Sequence, residues 1–338
     1  MAFVGGVSSF RDARPWTAPE IRARGPDAAP WAPAPGCYHD PGRADVVGRM
    51  SWHQGTAVEG SRAGRLRQSA PARALRNSPL QRLGARGLTA GLRQWPDFVI
   101  IGAQRAGTTS LTQWLFAHPQ VGPARTREVH FFDLNYDRGL RWYRSNFPIR
   151  HDGRFTGEST PYMLFHPLAP GRAARDLPDT TRFIVLLRDP VERAVSQYWL
   201  NRRRHHETES FRTAIETEQD RLVGQEEVVL RGERSDSYQR FSYASRGQYA
   251  EQLVRWFDHV DRDRVLVVQS EDLFESRETA DGILQWLGLG PSEQPFPWGN
   301  DATRHEEADA DVIASLRAHF VPYNRDLEEL LGRPFWRE

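Results

Sequence analysis

The sequence predicts an α/β fold of three layers, a central parallel sheet flanked by helices. Three observations predict it. Short apolar runs rich in β-branched residues recur at Asp97–Ile101, Phe183–Leu187 and Val265–Val268. Helical patterns separate and follow them, near 108–117, 191–203, 246–258, 277–287, 309–319 and 325–331. Strands apolar on both sides, alternating with helices, belong to parallel sheets covered on both faces. A glycine-containing turn, Gly102 to Gly107, joins the first strand directly to a helix.

The chain has 338 residues and a net charge of only +1, unevenly spread. Residues 1–93 carry 14 arginines against 6 acidic residues. Their Pro- and Ala-rich stretches show no sustained apolar period, so they cannot bury enough surface to offset ordering entropy. This segment is expected to be a disordered basic tail, and residues 94–338 the folded domain. Three readings of the tail stay open: a flexible tail, a basic arm for an acidic partner, or an upstream extension with Met50 as the start. All 45 basic residues are arginine. Cys37 is the only cysteine, which excludes an intramolecular disulfide. The N-terminus lacks the order of a signal peptide, and no run reaches the ~18 apolar residues of a membrane span. A cytoplasmic protein is expected.

The folded part begins at Trp95-Pro96, followed by the first strand. Gly102-Ala103-Gln104-Arg105-Ala106-Gly107-Thr108-Thr109 then has the layout of a phosphate loop, which makes the expected domain P-loop-type. Glycines let backbone approach an anion. The helix N-terminus adds unpaired N–H groups and partial positive charge. Thr108, Thr109 and Ser110 add hydroxyls, and Arg105 a fixed charge. Nucleoside triphosphatases need Gly-Lys-[Ser/Thr] here, whereas this chain has Thr108 where the lysine belongs. The loop therefore predicts phosphate binding but disfavours ATP. The second strand ends in Arg188-Asp189-Pro190, and a helix carrying Ser196 follows.

The runs Pro96–Leu111 (PDFVIIGAQRAGTTSL), Phe183–Tyr198 (FIVLLRDPVERAVSQY), Arg127–Asp133 (REVHFFD) and Asp311–Leu331 resemble, in order, segments of sulfotransferases that use 3′-phosphoadenylyl sulfate (PAPS). The resemblance is to their heparan-sulfate branch, in a bacterial type. It implies a 5′-phosphosulfate site at Arg105, Ala106, Gly107, Thr108, Thr109 and Ser110. It implies a 3′-phosphate site at Arg188 and Ser196, with Tyr249 nearby and Arg304 in a closing loop, Trp298–His305. It also implies Glu128 as the base that takes the acceptor proton, with His130 as rival base. Arg105 stands where the family usually has lysine, keeping the charge but not a proton-donor role. Residues two apart in an extended segment share a face, so Glu128 and His130 are both expected to line the cleft. Glu158–Tyr162 follows an expected strand near that cleft. For Glu128 a surface ion pair with Arg127 or Arg125 remains the plain alternative. For His130 it is a satisfied core histidine, and for Arg188 an ion pair with Asp189 or Glu192.

The resulting expectation is sulfuryl transfer from PAPS to a hydroxyl of a carbohydrate, glycolipid or glycosylated metabolite, without a metal and without nucleic acid. A P-loop kinase or NTPase is one alternative. A non-catalytic nucleic-acid-binding protein is the other. The run Arg202-Arg203-Arg204-His205-His206 reads as a solvated helix end, or as a basic wall for an anionic partner.

Overall fold

A computed structural model describes residues 86–149, 153–297 and 309–336. Four parallel strands form the central sheet: β1 (Phe98–Gly102), β2 (Gly157–Ser159), β3 (Arg182–Leu187) and β4 (Val265–Gln269), in the order β2-β1-β3-β4. Every residue of β1 is buried, and all of β3 except its first. Strands buried to this degree are covered on both faces, as their unbroken apolar runs predict. At the edge, β4 is only partly buried.

Helices in chain order are α1 (Thr108–Ala117), α2 (Leu140–Arg144), α3 (Ala169–Asp176), α4 (Pro190–Arg203), α5 (Phe211–Glu216), α6 (Glu218–Leu222), α7 (Gln225–Leu230), α8 (Asp236–Arg240), α9 (Tyr249–Phe257), α10 (Ser270–Glu275), α11 (Arg277–Leu287) and α12 (Ala310–Leu331). In α1, Leu111, Trp114 and Leu115 are buried, as the sequence spacing requires. For α4, Asp189 is the cap, accepting from the Glu192 amide at 2.9 Å, and Pro190 fills the first turn. Both choices suit a helix start.

Three expectations change. Residues 309–319 and 325–331 belong to one helix, α12, which runs through Pro322. Its first half buries Val312, Leu316 and Phe320 against α4, and its second half buries Leu327 and Leu330 in the main core. Packing on both sides of the proline overrides the break it would otherwise impose. Glu158 and Ser159 lie inside β2 rather than after a strand. Residues 86–93, assigned to the tail, dock on the domain: Arg86 donates to the Ser145 and Phe147 carbonyls, and Arg93 to that of Phe147 at 2.6 Å. Residues 1–85 lie outside the described residues.

The topology fixes where a ligand belongs. From β1 the chain passes to β2 on one side, while β3 lies on the other. That reversal opens a crevice beyond the carboxyl ends of β1 and β3, where open α/β sheets bind ligands. The loop after β1 and Arg188 after β3 both sit there.

Candidate active site

The loop after β1 is built from two left-handed residues, Arg105 (φ 74°) and Gly107 (φ 85°). A Cβ at Gly107 would lie 2.5 Å from the Phe274 ring, on a backbone that side-chain-bearing residues rarely adopt, so any other residue is strained here. Gly107 caps α1 without a side-chain acceptor. The Ser110 and Leu111 amides return to the Gly107 carbonyl, and among the described residues no acceptor engages those of Thr108 or Thr109. Orphan amides at a helix N-terminus are an anion site. Ala106 contributes shape rather than donors, since its amide is spent on Ala103 and its carbonyl accepts from Ser270. Behind the loop, the buried Arg246 guanidinium donates to the Gln104 side chain and stacks over Tyr162 at 4.7 Å.

Arg105 Nε donates to Ser196 Oγ at 2.9 Å, and Arg188 Nη1 donates to the Arg105 carbonyl at 3.3 Å. Arg105, which the sequence assigns to one phosphate site, thus touches both residues assigned to the other. Arg188 also pairs with Glu192 at 3.4 Å, across a partly exposed gap. Among the described residues no carboxylate pairs with Arg105. Burial, then repulsion from Arg203, Arg188, Arg204 and Arg193, pushes the Arg105 guanidinium below its usual range. Concentrated positive charge beside free helix amides is stabilised by a bound anion. Arg203 and Arg204, read from sequence as part of a helix end or a basic wall, feed this field, whereas Arg202 donates to the Glu207 carbonyl and His206 meets Arg240.

Tyr249, expected near the 3′-phosphate, is buried, and its hydroxyl donates to the Arg188 carbonyl at 2.9 Å. Glu271, which the sequence reading missed, accepts the Asp189 amide on one oxygen and the Trp336 indole N–H on the other, each at 3.1 Å. The peptide unit that ends β3 is therefore clamped from both sides. Ala106, Gly107, Arg188, Ser270, Glu271, Phe274 and Glu275 line a cleft of about 250 Å³ next to the loop. Arg304 and the loop Trp298–His305 fall outside the described residues, apart from the flanking Pro297.

Glu128 and His130 are brought together, but not as an extended pair, and Arg204, which acts on Arg105, acts on Glu128 as well. His130 is left-handed (φ 52°), because its ring and both backbone groups are held. Its Nδ1 meets Asp133 at 2.8 Å and its Nε2 meets Glu128 at 3.2 Å. Its amide donates to Thr160 Oγ1 at 3.2 Å, and Asn135 donates to its carbonyl at 2.8 Å. Strained residues persist where surroundings over-determine them. Burial alone would lower the His130 pKa, but hydrogen bonds to Asp133 and Glu128 outweigh it and raise the value to about 10. The His130 hydrogen bond in turn holds Glu128 below the usual carboxylate range, against the opposing effect of its burial. The Glu128 side chain is 41% exposed and Asp133 fully covered, so of the two carboxylates Glu128 is the one open to solvent.

Comparison with known proteins follows this geometry. The sulfotransferase domain family model matches residues 95–297, more than half of the chain. Human heparan sulfate glucosamine 3-O-sulfotransferase 6 is 34% identical over 288 residues, covering 77% of this chain and 80% of that protein. Human heparan sulfate glucosamine 3-O-sulfotransferase 3A1 is 30% identical over 273 residues, covering 73% of this chain. The chain spans 64% of the length of that second relative. A sulfotransferase from Alicyclobacillus acidocaldarius superposes with a TM-score of 0.54 at 26% identity, covering 72% of this chain and 98% of the other. The chain belongs to the sulfotransferase domain family, with heparan-sulfate-type enzymes among its relatives.

Proposed function

We propose that the protein transfers a sulfuryl group from PAPS to a hydroxyl of a carbohydrate acceptor, with Glu128 as base. The observation that carries this reading is an arginine-lined phosphate loop whose electrostatic field, through Arg204, also reaches the exposed carboxylate of Glu128. The residues present fit the donor. Two free amides, the Ser110 hydroxyl and Arg105 suit a 5′-phosphosulfate, and Arg188 with Ser196 suits a second phosphate. PAPS supplies the sulfuryl group and, in adenosine 3′,5′-bisphosphate, the leaving group.

The chain's own residues do the rest. Arg105, Arg188 and the α1 N-terminus hold the phosphates and stabilise the negative charge that grows on the leaving oxygen. Glu128 takes the proton from the acceptor hydroxyl as its oxygen attacks sulfur in line. His130, already carrying its proton between two carboxylates, is unsuited to act as base. Instead it orients Glu128. Lowering the pKa of Glu128 weakens it as a base but keeps it ionised throughout the neutral range. The saccharide acceptor is supported by the relatives that act on heparan sulfate glucosamine. An ATP-dependent kinase finds no lysine at Thr108, whose side chain is buried. A nucleic-acid role would rest on the basic residues 1–85, outside the described part. A cytoplasmic location remains part of the proposal.

Replacing Glu128 by Gln removes the proton acceptor and leaves shape and donor site in place. Transfer of labelled sulfate from PAPS to a heparan sulfate oligosaccharide should fall by about 100-fold or more. Binding of adenosine 3′,5′-bisphosphate should stay within twofold of wild type. Full transfer by this variant would exclude Glu128 as base.

A further inference from the structure

The reacting pair stands on a segment without regular structure, residues 127–133, and what fixes that segment lies behind it. Glu158, in the middle of β2, is fully buried. Its Oε2 accepts the Val129 amide at 3.3 Å and Thr160 Oγ1 at 2.8 Å. Thr160 Oγ1 in turn accepts the His130 amide at 3.2 Å. Its Oε1 accepts the Tyr143 hydroxyl at 2.7 Å, and the Tyr143 ring stacks on Phe131 at 4.8 Å. One residue on, the Ser159 amide donates to the Arg127 carbonyl at 3.1 Å.

One carboxylate therefore holds two consecutive amides, directly at Val129 and through a hydroxyl at His130. These amides bracket the bend at which Glu128 and His130 turn to face each other. We infer that Glu158 is a positioning residue, which holds the Glu128–His130 pair in its working geometry from behind the catalytic segment. The inference rests on the proposed roles of Glu128 and His130.

A buried carboxylate is a costly choice for stability alone. Desolvation opposes it, and an apolar side chain of similar volume is often as stable or more so. What an apolar side chain cannot do is accept from Val129 and Thr160. Freed of that constraint, the segment leaves His130 held left-handed only by Asp133, Glu128 and Asn135, against the strain of that conformation for a non-glycine residue. Its ring would then leave Asp133 and Glu128.

Glu158→Met tests this, because it keeps volume and removes every acceptor. The readout is the His130 imidazole titration by NMR in the full chain, with the resonance identified by His130→Gln. In Glu158→Met the His130 midpoint should fall by about one pH unit or more, toward the ordinary value. The affinity for adenosine 3′,5′-bisphosphate, whose proposed site uses none of these residues, should stay within twofold. Glu158→Gln keeps a carbonyl for Val129 and Thr160 and should restore the wild-type titration. Thr160→Val severs the His130 leg alone and gives the same readout should Glu158→Met fail to fold.

An unmoved His130 midpoint in a folded Glu158→Met, with only a lowered melting temperature, would overturn the inference. So would parallel loss of bisphosphate binding, which signals general collapse. None of these readouts requires turnover. Failure of the base assignment, read from Glu128→Gln, is therefore distinguishable from failure of this one.

Discussion

At the scale of single residues, chemistry is set by neighbours that are remote in sequence. REVHFFD points to Glu128 and His130 as alternative bases. The structure gives them different protonation states by placing His130 between Glu128 and Asp133. Asp133 lies in the same motif, but its contact with His130 depends on a left-handed backbone that no spacing rule predicts. The pH dependence of folding follows. The His130 pKa rises from 6.5 to about 10 on folding, so its contribution to stability is complete below 6.5 and lost as pH rises through about 10. The Glu158 pKa is also raised, by burial above all, to about 7, with Tyr143, Thr160, Asp133 and Val129 as the facing groups. The folded state thus favours its protonated form, and stability falls as pH rises through about 7. Both groups act in the same direction. Because the pKa of His166, lowered by burial to about 4, acts the other way below 6.5, urea unfolding at stepped pH should show stability declining from about pH 6.5 to 10. His130→Gln should flatten the upper part of that decline and Glu158→Gln the lower. Stability that rises across this range would contradict both assignments.

At the scale of elements, the strands that bear the donor site are legible in sequence because they are buried on both faces. β1, β3 and β4 each begin and end within one residue of the predicted runs. β2 is legible only in part: a strand is expected before Glu158, but Gly157–Ser159 carry no period that would fix its bounds, and one of them is a buried glutamate. The short helices between Phe211 and Arg240 escape for the same reason: each spans too few residues for a 3.6-residue pattern to emerge. α12 was obscured by Pro322, whose cost is offset by apolar contacts on both sides of it. The loop between β1 and α1 is the element on which the proposed donor binding turns. Gly107→Ala would impose a left-handed alanine, costing about 1–2 kcal/mol, and push its methyl into Phe274. The expected result is a folded protein whose affinity for adenosine 3′,5′-bisphosphate, measured by calorimetry, drops at least about tenfold. Unchanged affinity would show that the loop geometry is not what holds the phosphates.

At the scale of the whole molecule, the donor and acceptor sides of the site are supported by different parts of the chain. The donor side is clamped by Tyr249 on α9, Glu271 on α10 and Trp336 at the C-terminal end. The acceptor side is fixed by β2, Tyr143 on α2 and the segment around Asn135. The sheet order β2-β1-β3-β4 sets β2, which supports the Glu128 segment, beside β1, which leads into the phosphate loop. Its existence was legible in sequence from alternating elements, but the strand order was not, because nothing local records which strand pairs with which. The central claim is that this crevice takes PAPS. Titration calorimetry of the full chain with adenosine 3′,5′-bisphosphate and, separately, with ATP and magnesium tests it most directly. The account predicts saturable binding of the bisphosphate and, in the same buffer, binding of ATP weaker by about 100-fold or more, the 3′-phosphate contacts being lost. Tight binding of ATP with none of the bisphosphate would contradict it.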